Sequence, residues 1–191
     1  MHALLRFARI VDRINRFVGR AMVWPLLASV LISAGNAFSR KFFSLSSNAW
    51  IEIQWHLFAV AFLCCAGYVL LVDEHVRVDV LSRRWASRTR AKVDAVVLAF
   101  VALPMTALFG IFGGALFVRA WITGEGSFNA GGLLVWPIYL CIPLGMALLG
   151  LQALSELIRR IAFLHGSVDK PTLTEADLPP FLPPSPPDTV R

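Results

Sequence analysis

The chain alternates long apolar stretches with shorter polar segments that carry most of its charges. Four apolar stretches contain no Lys or Arg and are long enough to cross a hydrocarbon core, which takes about 20 helical residues. They cover residues 21–38, 50–72, 93–118 and 133–154. The composition agrees, because 57% of the residues are hydrophobic and 16% are charged, against about 25% charged in a soluble domain. The sequence predicts an all-α integral membrane protein with four transmembrane helices.

The first 20 residues have a different pattern, in which arginines recur at spacings of three and four. On an α-helix these arginines form one narrow stripe, and apolar residues including Leu4, Phe7, Val11 and Ile14 fall on the opposite face. The stripe consists of Arg6, Arg9, Arg13, Arg16 and Arg20. This pattern predicts an amphipathic helix in the membrane interface, with its arginines toward anionic lipid headgroups. A cleaved signal peptide is the alternative, but its basic region would be unusually long and regular.

The other end of the chain is rich in proline. Residues 167–191 hold seven of the 11 prolines and few apolar residues. Such a segment cannot bury enough apolar surface to fold by itself, so we predict a disordered, Pro-rich tail. The predicted organisation is therefore an interfacial helix over residues 1–20, a four-helix transmembrane domain over 21–160, and a tail over 161–191.

The distribution of positive charge predicts the orientation of the chain. Of the 18 Lys and Arg residues, fifteen lie before the first span, between the second and third spans, or after the fourth. The exceptions are Arg40, Lys41 and Arg119. Because positively charged loops remain in the cytoplasm, both termini and the middle loop are predicted to be cytoplasmic.

The stretch "LLVDEHVRVDVLSRRW", residues 70–85, combines an acid, an imidazole and a guanidinium directly after a span. It could form a metal site, a proton relay or a polar helix exit. A metal site lacks a second His or Cys nearby, and a proton relay would have to lie at membrane depth. We therefore expect His75, Arg77 and Asp79 to fix the exit of the second span through hydrogen bonds and an ion pair. The segment itself is read either as a helix or as an extended strand.

No pattern in the chain predicts a cofactor, a metal ion or catalysis. A haem held by two histidines needs facing His residues at similar depth, and only His56 lies within a span. The sequence contains no phosphate-binding loop and no convincing catalytic constellation. Cys64, Cys65 and Cys141 all lie in spans and are interpreted as packing residues. No soluble domain carries a basic face for nucleic acid.

Polar side chains that enter the spans are few, and small residues are more numerous. Glu52 and Gln54 open the second span, and an ionisable group there is a functional candidate by default. Glu52 is also close enough to the interface to snorkel or to pair with Arg40 or Lys41. Gly110 and Gly114 form a G-x-x-x-G motif that allows close helix approach in lipid.

The whole pattern resembles the small membrane subunit of tripartite ATP-independent periplasmic (TRAP) transporters, over about residues 16–160. Four features carry the resemblance: the four spans with both ends inside, "WIEIQW" at the start of span two, "HVRVDVL" directly after it, and "VWPIYLCIPLGMAL" in span four. The last segment contains Trp136, Pro137, Pro143 and Gly145. The "HVRVDVL" segment is the most specific of these features.

The resemblance implies a division of labour among three proteins in a bacterial inner membrane. A large permease subunit would bind substrate and sodium ions, and an extracytoplasmic binding protein would deliver an organic acid. This chain would be a scaffold, with membrane lipids as its other partner. The candidates for partner contact or structural support are then Glu52, Gln54, His75, Arg77, Asp79, Gly110, Gly114, Trp136, Pro137, Pro143 and Gly145.

Two functions of another class remain as alternatives on sequence alone. One is an independent four-helix protein that acts in interaction or assembly. The other is a small self-sufficient transporter, which is weakened because the sequence contains no inverted repeat and no pair of broken helices.

Overall fold

The computed structural model describes residues 2–44, 48–72, 86–129 and 132–167. The predicted helix-exit residues His75, Arg77 and Asp79 lie outside the described residues. The same holds for residues 168–191, which are 24 of the 31 residues of the predicted tail.

The described residues form six α-helices and one short π-helical turn. Their bounds are α1 His2–Ala21, α2 Val23–Phe43, α3 Asn48–Leu71, α4 Ser87–Val97, the π turn Leu98–Ala102, α5 Leu103–Thr123 and α6 Trp136–Leu164. Between α5 and α6, residues of the described loop make one isolated antiparallel bridge, Gly126 with Leu134.

Four helical rods are long and apolar enough to cross a membrane, which confirms the predicted four-span, all-α architecture. They are Ala3–Phe43, Asn48–Leu71, Arg88–Thr123 and Trp136–Leu164. The first rod combines α1 and α2, and the third combines α4, the π turn and α5. The third span was predicted to end at Val118, and the third rod continues five residues further, to Thr123. Trp121 and Ile122 extend its apolar surface, and Gly124 ends the helix in a left-handed conformation (φ 60°).

Helix α6 lies at the centre of the bundle and packs against α1, α3, α4 and α5, whereas α2 packs mainly against α3. Contacts along α6 show whether α3 and α5 run parallel or antiparallel to it. Glu52 of α3 meets Leu133, just before α6, while Gly67 meets Leu148 further along, so α3 and α6 run parallel. Trp121 contacts Trp136 at one end of α5 and Thr106 lies beside Gly150 at the other, so α5 runs antiparallel to α6.

Glycines allow α3 and α6 to approach at backbone distance. A Cβ atom added to Gly145 would lie 2.6 Å from the carbonyl oxygen of Leu63. One added to Gly67 would lie 3.0 Å from the carbonyl oxygen of Leu148. Close approach of this kind is how helices associate in lipid, where apolar side chains gain little by leaving the hydrocarbon. Gly145, a residue of the family-like motif, is thus a contact between two helices of this chain.

The face of α5 toward α6 follows a seven-residue repeat of small side chains. Its buried members are Thr106, Gly113 and Ala120. A Cβ added to Gly113 would collide with the side chain of Ile142, whereas one added to Gly114 would meet nothing within 4 Å. Gly110 faces Met146 at an ordinary contact distance of 3.6 Å. Of the three glycines, Gly113 is therefore the one that sets the α5–α6 separation.

The π turn joins two helical segments whose contact faces are out of phase by one residue. The amide of Leu103 bonds to the carbonyl of Leu98, five residues earlier, which makes the turn wider than an α-turn. Pro104 follows directly, and a proline ring crowds the carbonyl four residues before it. The wider turn relieves this crowding and leaves Leu98 buried toward α6.

Helices α1 and α2 join at Met22, where the backbone departs from regular α geometry (ψ −10°). Pro25, in the first turn of α2, has no amide hydrogen and cannot bond to Ala21, which loosens the junction. Helix α1 then packs between α3 and α6, and Gly19 lies against the ring of Tyr68. The interfacial position of α1 in the membrane stays a prediction.

Adjacent glycines on α5 provide a direct test of this packing. We expect Gly113→Ala to cost about 1–3 kcal/mol, because the new methyl group overpacks the contact with Ile142. Gly114→Ala should leave stability unchanged or raise it by up to about 1 kcal/mol, because its methyl group has free space and Ala favours helix. Thermal unfolding of both purified variants in one detergent would measure the difference, and equal melting temperatures would contradict the assigned face.

Candidate functional site

The main site of the described residues is a buried polar cluster that joins α1 to the second half of α6. Asp12 is at its centre. One carboxylate oxygen, Oδ1, accepts hydrogen bonds from Nε2 of Gln152 and from Oγ of Ser155, both at 3.0 Å. The other oxygen forms an ion pair with Arg159. The acid is 4% exposed, so its charge is balanced inside the protein and not by water.

Asn15 extends this cluster by one helical turn of α1. Its amide nitrogen donates to Oε1 of Gln152 at 2.9 Å and lies 3.4 Å from the carbonyl oxygen of Leu148. Its amide oxygen packs over Gly67 of α3, in the space that a Cβ atom there would occupy. Gln152 therefore donates to Asp12 and accepts from Asn15, and both sides of its amide are satisfied. These contacts fix the rotation of α1 about its own axis.

A second group of charges joins α6 to α4. Arg160 is 1% exposed and forms an ion pair with Glu156, one turn earlier on the same helix. Its Nε atom also lies 3.3 Å from Oδ2 of Asp94 on α4. A buried guanidinium needs such partners, because removing one of them would leave an uncompensated charge. We call the two groups together the α6 polar network. It consists of Asp12, Asn15, Gln152, Ser155 and Arg159 in the first group, and Asp94, Glu156 and Arg160 in the second.

At the opposite end of the bundle, Glu52 binds the loop that leads into α6. It is 5% exposed, and its Oε2 atom accepts a hydrogen bond from the amide of Leu133 at 3.2 Å. The loop is further closed by the amide of Ser127, which donates to the carbonyl of Leu133 at 2.8 Å. The sequence led us to expect that Glu52 either extends to the interface or pairs with Arg40 or Lys41. The described contacts do not show that pairing. The acid instead holds a backbone segment in place.

The remaining candidates of α3 and α6 lie near this same end. The carbonyl of Gln54 accepts a hydrogen bond from Ser29 of α2 at 3.2 Å, so its contribution within the described residues is a backbone one. Trp136 packs edge-on against Trp121, with ring centroids 4.7 Å apart, and Pro137 occupies the first turn of α6. Pro143 lies inside α6, next to the Gly113 contact.

The site contains no arrangement that suggests catalysis. Among the described residues, no group of three or more His, Cys, Asp and Glu side chains is placed to hold a metal ion. The buried charges act in pairs or on backbone amides, as structural ties do. Their chemical capacity is to fix helices relative to one another in a medium of low dielectric constant.

Sequence reasoning did not assign a role to most of the α6 polar network. Asp12 and Asn15 of α1 and the polar side chains of residues 152–160 are not among the sequence candidates. A signal was present in both helices. Polar residues recur at spacings of three and four along residues 152–160, and Asp12 and Asn15 interrupt the apolar side of α1 one turn apart.

Comparison with known proteins supports the architecture from an independent direction. A family model described as tripartite ATP-independent periplasmic transporters, DctQ component, matches residues 29–163. The chain belongs to the DctQ family. It is thus the small permease component of a TRAP transporter, a multi-pass membrane protein from a family of transporter components. No curated protein and no solved structure matches the chain.

The limits of the family match divide the α6 polar network. The match begins at Ser29 and ends at Phe163, so it contains Gln152, Ser155 and Arg159 but not the residues of α1. In this DctQ component, helix α1 is therefore attached to the family region through side chains that lie within that region. Gly110, Gly114 and Glu52 also lie inside the match, and their contact with another subunit stays a prediction.

A double-mutant cycle on Asp12 and Arg159 measures how strongly α1 is attached. We expect Arg159→Gln to destabilise the DctQ chain by about 3 kcal/mol, because Asp12 would keep a buried charge without its ion pair. Asp12→Asn removes that charge, so the double variant should be more stable than the sum of the single effects predicts. Thermal unfolding in detergent gives the three differences.

The exposed Arg20 of α1 provides the control for this cycle. Arg20→Gln removes one positive charge from the same helix without touching a described partner, and we expect no change in stability. Additive effects of Asp12→Asn and Arg159→Gln would show that the ion pair does not attach α1.

Proposed function

We propose that this chain is the non-transporting scaffold of a sodium-driven uptake system for an organic acid in a bacterial inner membrane. A larger permease subunit carries substrate and sodium ions, and an extracytoplasmic binding protein delivers the substrate. The small subunit anchors and widens the fixed part of the permease, against which the transporting part moves. Membership of a tripartite transporter family supports the presence of two partners.

The main support for the proposal is that the buried charges bind groups of this chain itself. Asp12 pairs with Arg159, Glu156 pairs with Arg160, and Glu52 binds a backbone amide. Coupled transport ordinarily uses ionisable groups and unwound helix segments near the middle of the membrane. In the described parts of α3, α5 and α6, the buried charges lie instead toward the helix ends and are already satisfied, as a rigid support requires.

The large permease is expected to contact apolar surface that this chain leaves uncovered. Large apolar side chains of α2, the π turn and α5 are widely exposed, including Trp24, Phe100 and Ile111. Gly114 has open space in front of its Cα atom, and Gly110 lies one turn away at the edge of the α5–α6 contact. A neighbouring helix could approach α5 closely at Gly114. We assign this glycine to the partner surface and Gly113 to the fold.

Reconstitution into liposomes tests the proposed division of labour. We expect no substrate accumulation by this chain alone under an inward sodium gradient, and accumulation by the two membrane subunits together with the binding protein. Radiolabelled organic acids of several classes would serve as substrates. Accumulation by this chain alone would refute the scaffold function, and full activity of the large permease without it would make the chain dispensable.

The proposed orientation places both termini and the middle loop in the cytoplasm. Thr89 in α4 and Phe128 in the loop before α6 are both exposed and lie at opposite ends of the bundle. In a chain whose native cysteines are replaced by Ala, we expect an impermeant maleimide added outside spheroplasts to label Phe128→Cys but not Thr89→Cys. Lysed cells should show labelling of both. The reverse result in intact spheroplasts would invert the topology.

A further inference from the structure

The arginine stripe of α1 has no counter-charge among the described residues. Arg6, Arg9, Arg13 and Arg20 are exposed and Arg16 is partly buried, and none forms an ion pair with a described carboxylate. The one acid of α1, Asp12, lies three residues after Arg9 and four before Arg16, where it could pair with either. It is instead buried and held by Arg159. Within the described part of the chain, no carboxylate therefore balances these five positive charges.

Packing against the bundle divides the rest of α1 into two faces. The protein-facing side consists of Ala8, Val11, Asp12, Asn15 and Gly19. Between this face and the arginines, on the side away from the bundle, large apolar residues remain exposed. They are Leu4, Phe7, Ile10, Ile14 and Phe17. An arginine stripe beside an uncovered apolar stripe is suited to a boundary between charged headgroups and acyl chains.

The contacts of α1 also place the stripe at the depth of such a boundary. Asn15 and Gly19 lie beside Gly67 and Tyr68, about one helical turn before the end of α3 at Leu71. One turn is about 5.4 Å, which is within the reach of an arginine side chain that extends toward the interface. The α6 polar network prevents α1 from rotating these arginines toward the bundle.

Part of the stripe forms a shallow groove of suitable composition. The groove has a volume of about 300 Å³ and is lined by Arg6, Arg9, Ile10 and Arg13. Its walls are mainly the aliphatic parts of these side chains, and the three guanidinium groups, on successive turns of α1, can bind one phosphate at its edge with charge-assisted hydrogen bonds. Ile10 borders the same groove and continues into the exposed apolar face of α1, where an acyl chain would lie.

We propose that this groove is a binding site for one phospholipid with an anionic headgroup, whose phosphate is held by Arg6, Arg9 and Arg13. Because the α6 polar network attaches α1 to the bundle, a lipid bound at this site fixes the depth of the bundle in the membrane. The inference rests on membrane location and on the geometry of α1, and it does not depend on the transport function.

Native mass spectrometry of the full-length chain tests this site. The chain would be released from detergent micelles with phosphatidylglycerol or with phosphatidylcholine of the same acyl chains. We expect one tightly retained phosphatidylglycerol and no retained phosphatidylcholine. Arg9→Gln combined with Arg13→Gln should weaken the retained lipid roughly thirtyfold, since each arginine near an anionic headgroup contributes about fivefold.

A matched double variant separates a specific site from general attraction. Arg16→Gln combined with Arg20→Gln removes the same charge from the same helix but leaves the groove intact. It should weaken lipid binding at most about fivefold, because these two arginines do not line the groove and attract the phosphate only over a longer, screened distance. Excess inorganic phosphate should not displace the lipid, because it lacks the acyl chains. Equal losses in both double variants, equal retention of the two lipids, or displacement by free phosphate would each overturn the site.

Discussion

The ion pair between Asp12 and Arg159 determines how helix α1 is oriented in the bundle. A carboxylate at 4% exposure is costly to bury unless a positive charge and hydrogen-bond donors surround it. Arg159, Gln152 and Ser155 supply them from consecutive turns of α6. Because these donors are fixed on one helix, α1 has one rotation and one depth at which its acid is satisfied. The faces that α1 turns to its surroundings follow from that single condition.

The same helix also determines the separations elsewhere in the bundle. Helix α6 meets α3 at Gly145 and α5 at Gly113, where backbone and side chain approach too closely for any larger residue. Small residues serve here where large apolar ones would serve in a soluble core, because lipid provides no hydrophobic force between helices. A bundle whose buried charges are paired and whose helices touch at backbone distance is suited to a rigid support.

The sequence was sufficient for the spans and for the existence of α1, because both depend on local patterns of polarity. It was not sufficient for contacts that join distant positions. The spacing of Gly110 and Gly114 does not reveal Gly113, which sets the α5–α6 separation, because Gly113 belongs to a seven-residue repeat that only the partner helix reveals. Glu52 could not be paired by inspection, because its partner is the backbone amide of Leu133. The protein-facing side of α1 could not be separated from its exposed apolar side either, because the separation depends on contacts with α6, more than 130 residues away.

The π turn Leu98–Ala102 contains one residue more than an α-helical path of the same course. Before it, the side chains toward α6 are those of Ala91, Asp94 and Leu98; after it, they are those of Thr106, Gly113 and Ala120. These two series do not belong to one uninterrupted α-helical repeat, and the extra residue brings both to the same side. The third rod therefore consists of two α-helices, and the π turn between them rotates the second so that its small residues also face α6. Shortening the turn by a single residue would leave a plain α-helix with both series still directed at α6, but the ring of Pro104 would again crowd the carbonyl four residues before it. The extra residue is therefore the length of chain that a proline at this point requires.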